Sequence, residues 1–125
     1  MRFMFIVTSA HVGPPPPALL EAMHKLADRE IKAGRMIDSG GLMPLSTGAQ
    51  VRIRDGELSV VDGPFVEAKE VIGGYAIFEF RNKEEAVASA VEFLQLHKDH
   101  MPGWEGTCEI RVLADAADCD GPAGA

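Results

Sequence analysis

The sequence contains few of the features that mark secreted, membrane or nucleic-acid-binding proteins. Only two of its 125 residues are cysteine, Cys108 and Cys119, which argues against a disulfide framework and favours a reducing cytoplasm. No apolar run approaches the roughly 20 residues of a membrane-spanning helix, and the apolar stretch 3–7 is too short for a secretory leader. Twelve basic residues lie scattered among nineteen acidic ones, without a basic run that could follow a phosphate backbone. We expect a soluble, cytoplasmic protein that binds neither membranes nor nucleic acid.

Motifs for cofactors, nucleophiles and metals are also missing. The glycine pairs at 40–41 and 73–74 do not lead from a strand into a helix, as a phosphate-binding loop requires. No serine or cysteine lies in a nucleophile elbow. His97 and His100 have a spacing that can ligate a metal, but no third ligand is evident and a solvated helix end is the favoured interpretation. The sequence predicts no cofactor and no structural metal.

What is present fits one folded domain. Hydrophobic residues make up 46% of the chain and charged residues 25%, which is ordinary for a globular protein and excludes a disordered chain. A chain of 125 residues is long enough to bury a core. The last residues are small and polar. We therefore expect a domain over residues 1–113 and a flexible tail over residues 114–125.

The first half of the chain alternates between strand and helix patterns. Residues 3–7 are apolar on both faces, which predicts a strand at the centre of a sheet. Helical spacing predicts a helix over 16–33 that begins in a proline run and ends near Gly34. The pattern of residues 36–45 predicts an irregular strand or a pair of strands bent by a bulge. The apolar stripe of the helix is predicted to consist of Leu20, Met23, Ala27 and Ile31.

A hairpin is predicted next. Asp55-Gly56 lies between two alternating runs, which is the strongest short-range signal for a two-residue turn. The register that follows gives the hairpin one apolar, dry face and one wet face. The predicted cross-strand pairs are Val51 with Val60, Ile53 with Leu58, and an ion pair of Arg54 with Glu57.

The second half predicts strand, helix and strand. Residues 75–80 form a strand with apolar side chains on both faces. Asn82 begins a capping box ahead of a helix over 83–97, and residues 108–113 alternate like a closing strand. The apolar stripe of this second helix is predicted to be Val87, Ala90, Val91 and Leu94.

This order predicts an α+β fold. A β-α-β-β-α-β sequence of elements is the ferredoxin-like pattern, with two helices on one side of an antiparallel sheet. The strands at 3–7 and 75–80 are nevertheless apolar on both faces. The face without helices therefore needs a cover, and an identical subunit is the simplest one. We expect a homodimer.

Two places could carry chemistry. In "DGPF", residues 62–65, Gly63 and Pro64 make a rigid turn that directs Phe65 inward, and Asp62 brings a carboxylate close to that of Glu70. The motif is either a stiff corner between strands or part of a site. As a site, its expected substrate contacts are Phe65, Glu70 and Tyr75.

His24 is the second place. Its helical position beside Leu20 directs the imidazole towards the sheet, where a histidine with a carboxylate partner can act as a general base. Asp62 and Asp99 are the competing partners. The alternative is a core histidine that is hydrogen-bonded to a backbone carbonyl.

Several segments resemble the DGPF branch of the YCII-related family, over residues 1–113. The similarity is carried by "AGRMIDSGGLMP", "DGPFVEAKEVIGGYAIFEF" and "EFLQLHKDHMPGWEGTCEIR". Val66 and Ala68 stand where the branch commonly has Ala and Thr. The resemblance implies a dimeric α/β barrel in which two sheets pack face to face, with a cleft between sheet and helices. It also implies a histidine on the first helix that works with an aspartate, and His24 lies near the matching position.

The resemblance leaves two functions open, because relatives on this fold differ in activity and the DGPF branch has no established reaction. One is a small cofactor-free enzyme of the isomerase, lyase or dehalogenase type that acts on an aromatic or keto-acid metabolite, with His24 as base and Asp62 or Asp99 orienting it. The other is a non-catalytic dimeric module that binds a small ligand or a regulatory partner, such as an extracytoplasmic-function sigma factor. A buried His24 near a carboxylate favours the enzyme, and a packed cleft favours the module.

Overall fold

The computed structural model describes residues 1–11, 13–62 and 70–115. It confirms the α+β fold class and the predicted order of elements. A 3-10 turn, Leu45–Thr47, follows the second strand. The regular elements are β1 (Arg2–Ser9), α1 (Pro17–Lys32), β2 (Met36–Gly41), β3 (Gln50–Arg54), β4 (Glu57–Val61), β5 (Val71–Glu79), α2 (Lys83–His100) and β6 (Gly106–Val112).

Four strands form one antiparallel sheet in the order β2-β5-β1-β6, which is the ferredoxin-like arrangement. β1 lies in the middle of the sheet, as its apolar sequence predicts. The predicted bulge in β2 is present as a register shift between Met36 and Asp38. Among the described strands, β3 and β4 pair with each other alone and form a separate two-stranded sheet.

The core lies between the sheet and the helices. Phe3 and Phe5 of β1 meet Phe78 and Phe80, and the four rings pack with centroids 4.6–6.3 Å apart. The side chains of α2 that face these rings are alanines, which let the helix approach the sheet closely; they are Ala86 and Ala90. Aromatic rings therefore occupy the space in which the resemblance implies a cleft.

The buried face of α1 differs from the prediction by one residue position. Leu19 and Glu30 are buried, whereas Leu20 is 41% exposed and Ile31 is 58% exposed. Two largely apolar stripes run along the helix about 100° apart. The predicted stripe is the one that does not contain the charged Glu30. The structure uses the other stripe because arginine side chains bind the Glu30 carboxylate.

The same shift occurs on α2. Ala90 of the predicted stripe is buried, but the other buried positions are Ala86 and His97, and Val87 and Val91 of that stripe are exposed. The N-terminal cap is confirmed, because the Asn82 side chain accepts a hydrogen bond from the Glu85 backbone N–H at 2.9 Å. The helix continues to His100, three residues beyond the predicted end.

The hairpin has the predicted register, with Val51 opposite Val60 and Ile53 opposite Leu58. Positive φ angles of 52° at Asp55 and 80° at Gly56 match the two-residue turn that this dipeptide favours. Two expectations were wrong. Arg54 and Glu57 face each other within the described chain but form no ion pair, and the predicted dry face is 68–74% exposed in the single chain.

One face of the four-stranded sheet carries no helix. Phe3, Phe5 and Phe78 point towards the helices, so the alternate residues of the strands point the other way. The side chains in the middle of this face are apolar and those at its edges are polar or charged. We call it the helix-free face; it consists of Met4, Ile6, Thr8, Asp38, Tyr75, Ile77, Thr107, Glu109 and Arg111.

Neither helix in the described ranges combines the length and apolar composition that crossing a bilayer requires.

Candidate functional site

His24 lies on the outer surface of α1. It is exposed, so the prediction that its ring points at the sheet was wrong; the one-residue rotation of the helix turns it outwards. The ring lines an open groove of about 580 Å³ together with Pro17 and Leu20. The nearby carboxylates already have partners on the same helix: Lys25 contacts Glu21 at 3.3 Å and Lys32 contacts Asp28 at 2.8 Å.

The two candidate partners of His24 are both exposed. Asp62 directly follows β4, and Asp99 near the end of α2 accepts a hydrogen bond from Gln95 Nε2 at 2.8 Å. No hydrogen bond or ion pair joins His24 to either carboxylate within the described part of the chain. The pairing therefore stays a prediction.

Of the three expected substrate contacts, Tyr75 has the best-defined position. It is half-buried on the helix-free face, and a Cβ atom at Gly40 would lie only 3.0 Å from its ring. The absence of a side chain at Gly40 thus lets the phenol ring lie across β2. Glu70 is exposed just before β5, and Phe65 lies with the rest of the "GPF" turn outside the described residues.

A charge network around one buried carboxylate is a feature that the sequence patterns do not predict. The Glu30 carboxylate, on a residue only 3% exposed, accepts hydrogen bonds from Arg35 Nε at 3.0 Å and from Arg29 Nε at 3.4 Å. Arg29 also binds Glu92 on α2, through Nη1 at 3.0 Å. The hydrogen bond from Arg35 is the main cause that lowers the pKa of Glu30, and that from Arg29 lowers the pKa of Glu92. The network links α1 to α2 and to the residue before β2.

His97 is the second feature that the sequence reading missed. Its ring packs between Phe93 and Trp104, with centroids 4.8 and 4.4 Å away, and its Nδ1 lies 3.1 Å from the Phe93 carbonyl oxygen. Burial lowers the pKa of His97, while the Phe93 carbonyl opposes that shift. The spacing of His97 and His100 suggested only a metal pair or a solvated helix end. Within the described ranges no group of three or more side chains is arranged to hold a metal.

Trp104 borders an open groove between α2 and the start of β6. The ring lies against Gly106, where a Cβ atom would come within 2.4 Å of it. The groove has a volume of about 480 Å³, with apolar walls and a polar rim. We call it the Trp104 groove; it is lined by Val91, Leu94, Gln95, Lys98, Gly103, Trp104, Glu105 and Gly106.

Cys108 is a structural side chain. It packs against the phenylalanine core, and burial raises the pKa of its thiol to about 11. The reactive thiolate is therefore scarce at neutral pH.

Two comparisons with known proteins found a match to this chain. The YCII-related domain matches residues 1–93. An uncharacterised protein of Rhizobium meliloti (strain 1021) is 27% identical over 108 residues, which cover 86% of this chain and 83% of the relative. The domain match spans well over half of the sequence and includes β1 to β5 and most of α2. The chain belongs to the YCII-related family.

Proposed function

We propose that the protein is a homodimer that binds a compact small molecule between the helix-free faces of its two subunits. The observation that carries this proposal is the contrast between the two sides of the sheet. The helix side is filled by a phenylalanine core, whereas the helix-free face exposes an apolar centre and the single tyrosine of the chain. A filled core favours a binding module over an enzyme with a cleft between sheet and helices.

The charges on the helix-free face support a particular dimer. Asp38 on edge strand β2 and Arg111 on edge strand β6 lie in one row across the sheet, through Ile77 and Met4. Aligned sheets pack with their strands within about 30° of each other. A two-fold axis parallel to the strands then places each Asp38 opposite the partner's Arg111. Within the chain Arg111 contacts Glu109 at 3.1 Å, so it would be shared between two carboxylates.

Tyr75 defines the chemistry of the ligand. Its hydroxyl makes no hydrogen bond to another described residue, and its ring is fixed against Gly40. The neighbours Ile6 and Ile77 are apolar. Such a surface suits a compact ligand with an apolar body and one oxygen that can bond to the phenol, such as an aromatic keto acid.

Calorimetry with phenylpyruvate tests this function. The wild-type protein should bind it, and Tyr75→Phe, which removes only the hydroxyl, should bind it about fivefold more weakly because one hydrogen bond contributes about 1 kcal/mol. Glu84→Gln, at an exposed position in the first turn of α2, is the matched control and should bind normally. Failure of the wild type to bind would refute the aromatic keto acid as ligand. Equal affinities of wild type and Tyr75→Phe would show that the ligand does not bind at the helix-free face.

The catalytic use of His24 is a second candidate function, supported by the accessibility of its ring in the groove along α1. In this alternative His24 is the base and Asp62 or Asp99, from either subunit, orients it, with Glu70 and Phe65 near the substrate. A double-mutant cycle on the free energy of unfolding tests the pairs, using His24→Gln with Asp62→Asn and with Asp99→Asn. Coupling of about 0.5 kcal/mol or more identifies the partner. Two uncoupled cycles would contradict both pairings.

A further inference from the structure

The β3–β4 hairpin presents an aliphatic surface that the other described residues of its chain leave exposed. The exposed fractions of Val51, Ile53, Leu58 and Val60 are 69%, 68%, 74% and 69%. Their register puts all four on one face of the hairpin. A lone two-stranded hairpin is only marginally stable in water unless its apolar face packs against something. This surface therefore needs a partner.

Further exposed aliphatic side chains flank the hairpin in the sequence. They are 47–75% exposed. Of these, Ile72 pairs with Thr8 and so adjoins the helix-free face. Monomeric proteins rarely expose apolar patches of such extent, and larger ones mark interaction sites. The flanking side chains are Leu42, Met43, Leu45, Val71 and Ile72.

The size of the sheet favours a second copy of this chain as the occupant. Four strands of six to nine residues have a flat footprint on the order of 400 Å², whereas a standard interface buries about 800 Å² on each partner. Side chains that protrude from the sheet make its accessible area larger than its flat footprint. The sheet alone still buries less area than a standard interface. An additional contact from each subunit would bring the interface to the size of a stable dimer.

The proposed two-fold axis indicates where the hairpin lies. Gly41, where the chain leaves β2 towards the hairpin, is at the same end of the sheet as Gly106, where β6 begins. With the axis parallel to the strands, β2 of one subunit lies over β6 of its partner. The hairpin of one subunit then projects next to the partner's Trp104 groove.

We propose that the β3–β4 hairpin is an arm that clasps the partner subunit, with its aliphatic face in the Trp104 groove. This inference rests on the homodimer of the proposed function. Val91, Leu94 and Trp104 supply apolar walls, and Lys98 and Glu105 supply opposite charges at the rim. Asp55, in the turn at the tip of the hairpin, carries a charge complementary to that of Lys98.

Trp104 is the only tryptophan, so its fluorescence reports on the groove alone. The double variant Ile53→Ser/Leu58→Ser should shift the Trp104 emission to longer wavelength and raise the dimer dissociation constant about tenfold or more. Sedimentation equilibrium measures that constant. Ile31→Ser, an exposed isoleucine on α1, is the matched control and should change neither quantity.

The outcomes separate this inference from the proposed function. The wild type could be dimeric while the double variant has the same Trp104 emission and the same dimer dissociation constant. That result would contradict the arm but not the dimer. A monomeric wild type would overturn both. A zero-length carbodiimide cross-linker on the wild-type protein gives a second measurement that needs no substitution. Mixed isotope-labelled and unlabelled chains should yield Lys98 linked to Asp55 between heavy and light chains, and links within one chain only would contradict the arm.

Discussion

At the residue scale, two buried titratable side chains hold the helices in place. Glu30 is buried because Arg35 and Arg29 bind its carboxylate, and His97 is buried because two aromatic rings and a backbone carbonyl surround it. Both residues lie where an apolar side chain would be expected from helical spacing. Their stabilising contributions therefore depend on hydrogen bonds and on protonation.

Replacement of Glu30 by glutamine should destabilise the fold. Glu30→Gln keeps the shape but removes the charge that both arginines bind, and the loss of buried charge-assisted hydrogen bonds should cost about 1–3 kcal/mol. Urea unfolding measures the change. Glu21→Gln removes the exposed pair with Lys25 and should have an effect too small to resolve. A similar loss in both variants would show that the Glu30 network does not contribute specifically.

His97 should make stability depend on pH. Its pKa in the folded protein is below the ordinary value of 6.5, so the unfolded chain binds more protons in this range. The stability contribution is complete above about pH 6.5 and is lost as the pH falls through the lowered pKa. Urea unfolding followed by circular dichroism at several pH values should show a smaller decrease in His97→Gln. Parallel pH profiles of the two proteins would contradict this role of His97.

At the element scale, the sequence predicts strands and turns better than helix faces. The Asp55-Gly56 turn determines the hairpin register, because its positive φ angles allow only one pairing. α1 and α2 each carry two apolar stripes about 100° apart, and spacing alone does not choose between them. Burial of Glu30 and His97 accompanies that choice, and it depends on specific side-chain contacts, with Arg29 and Arg35 for Glu30 and with Phe93 and Trp104 for His97, that helical spacing does not reveal. The predicted orientation of the His24 ring was wrong for the same reason.

The cap of α2 is a local feature that the sequence predicts correctly. Asn82→Ala should destabilise the protein by about 1 kcal/mol, because the Glu85 backbone N–H loses its acceptor. Thermal unfolding measures this loss. Asn82→Asp retains an acceptor oxygen at the same place and should preserve most of the stability. An Ala variant as stable as the wild type would mean that water replaces the cap at no cost.

At the scale of the whole molecule, the order of elements predicts the ferredoxin-like sheet, and the structure confirms it. The candidate site is less predictable. No hydrogen bond or ion pair joins His24 to Asp62 or Asp99 in the described chain, and Tyr75 lies on a face that neither described helix covers. Contacts between subunits leave no periodic pattern in one sequence beyond apolar residues on both faces of a strand. That pattern predicts that something covers the helix-free face but not which side chains meet across it.

A charge-swap experiment in sedimentation equilibrium tests the face-to-face dimer most directly. Wild type should have about twice the 13.4 kDa chain mass at micromolar concentration. Asp38→Arg or Arg111→Asp alone places like charges opposite each other and should weaken the dimer, while the double variant Asp38→Arg/Arg111→Asp should recover it. A monomeric wild type, or single variants that dimerise as well as the wild type, would contradict the proposed pairing of the helix-free faces.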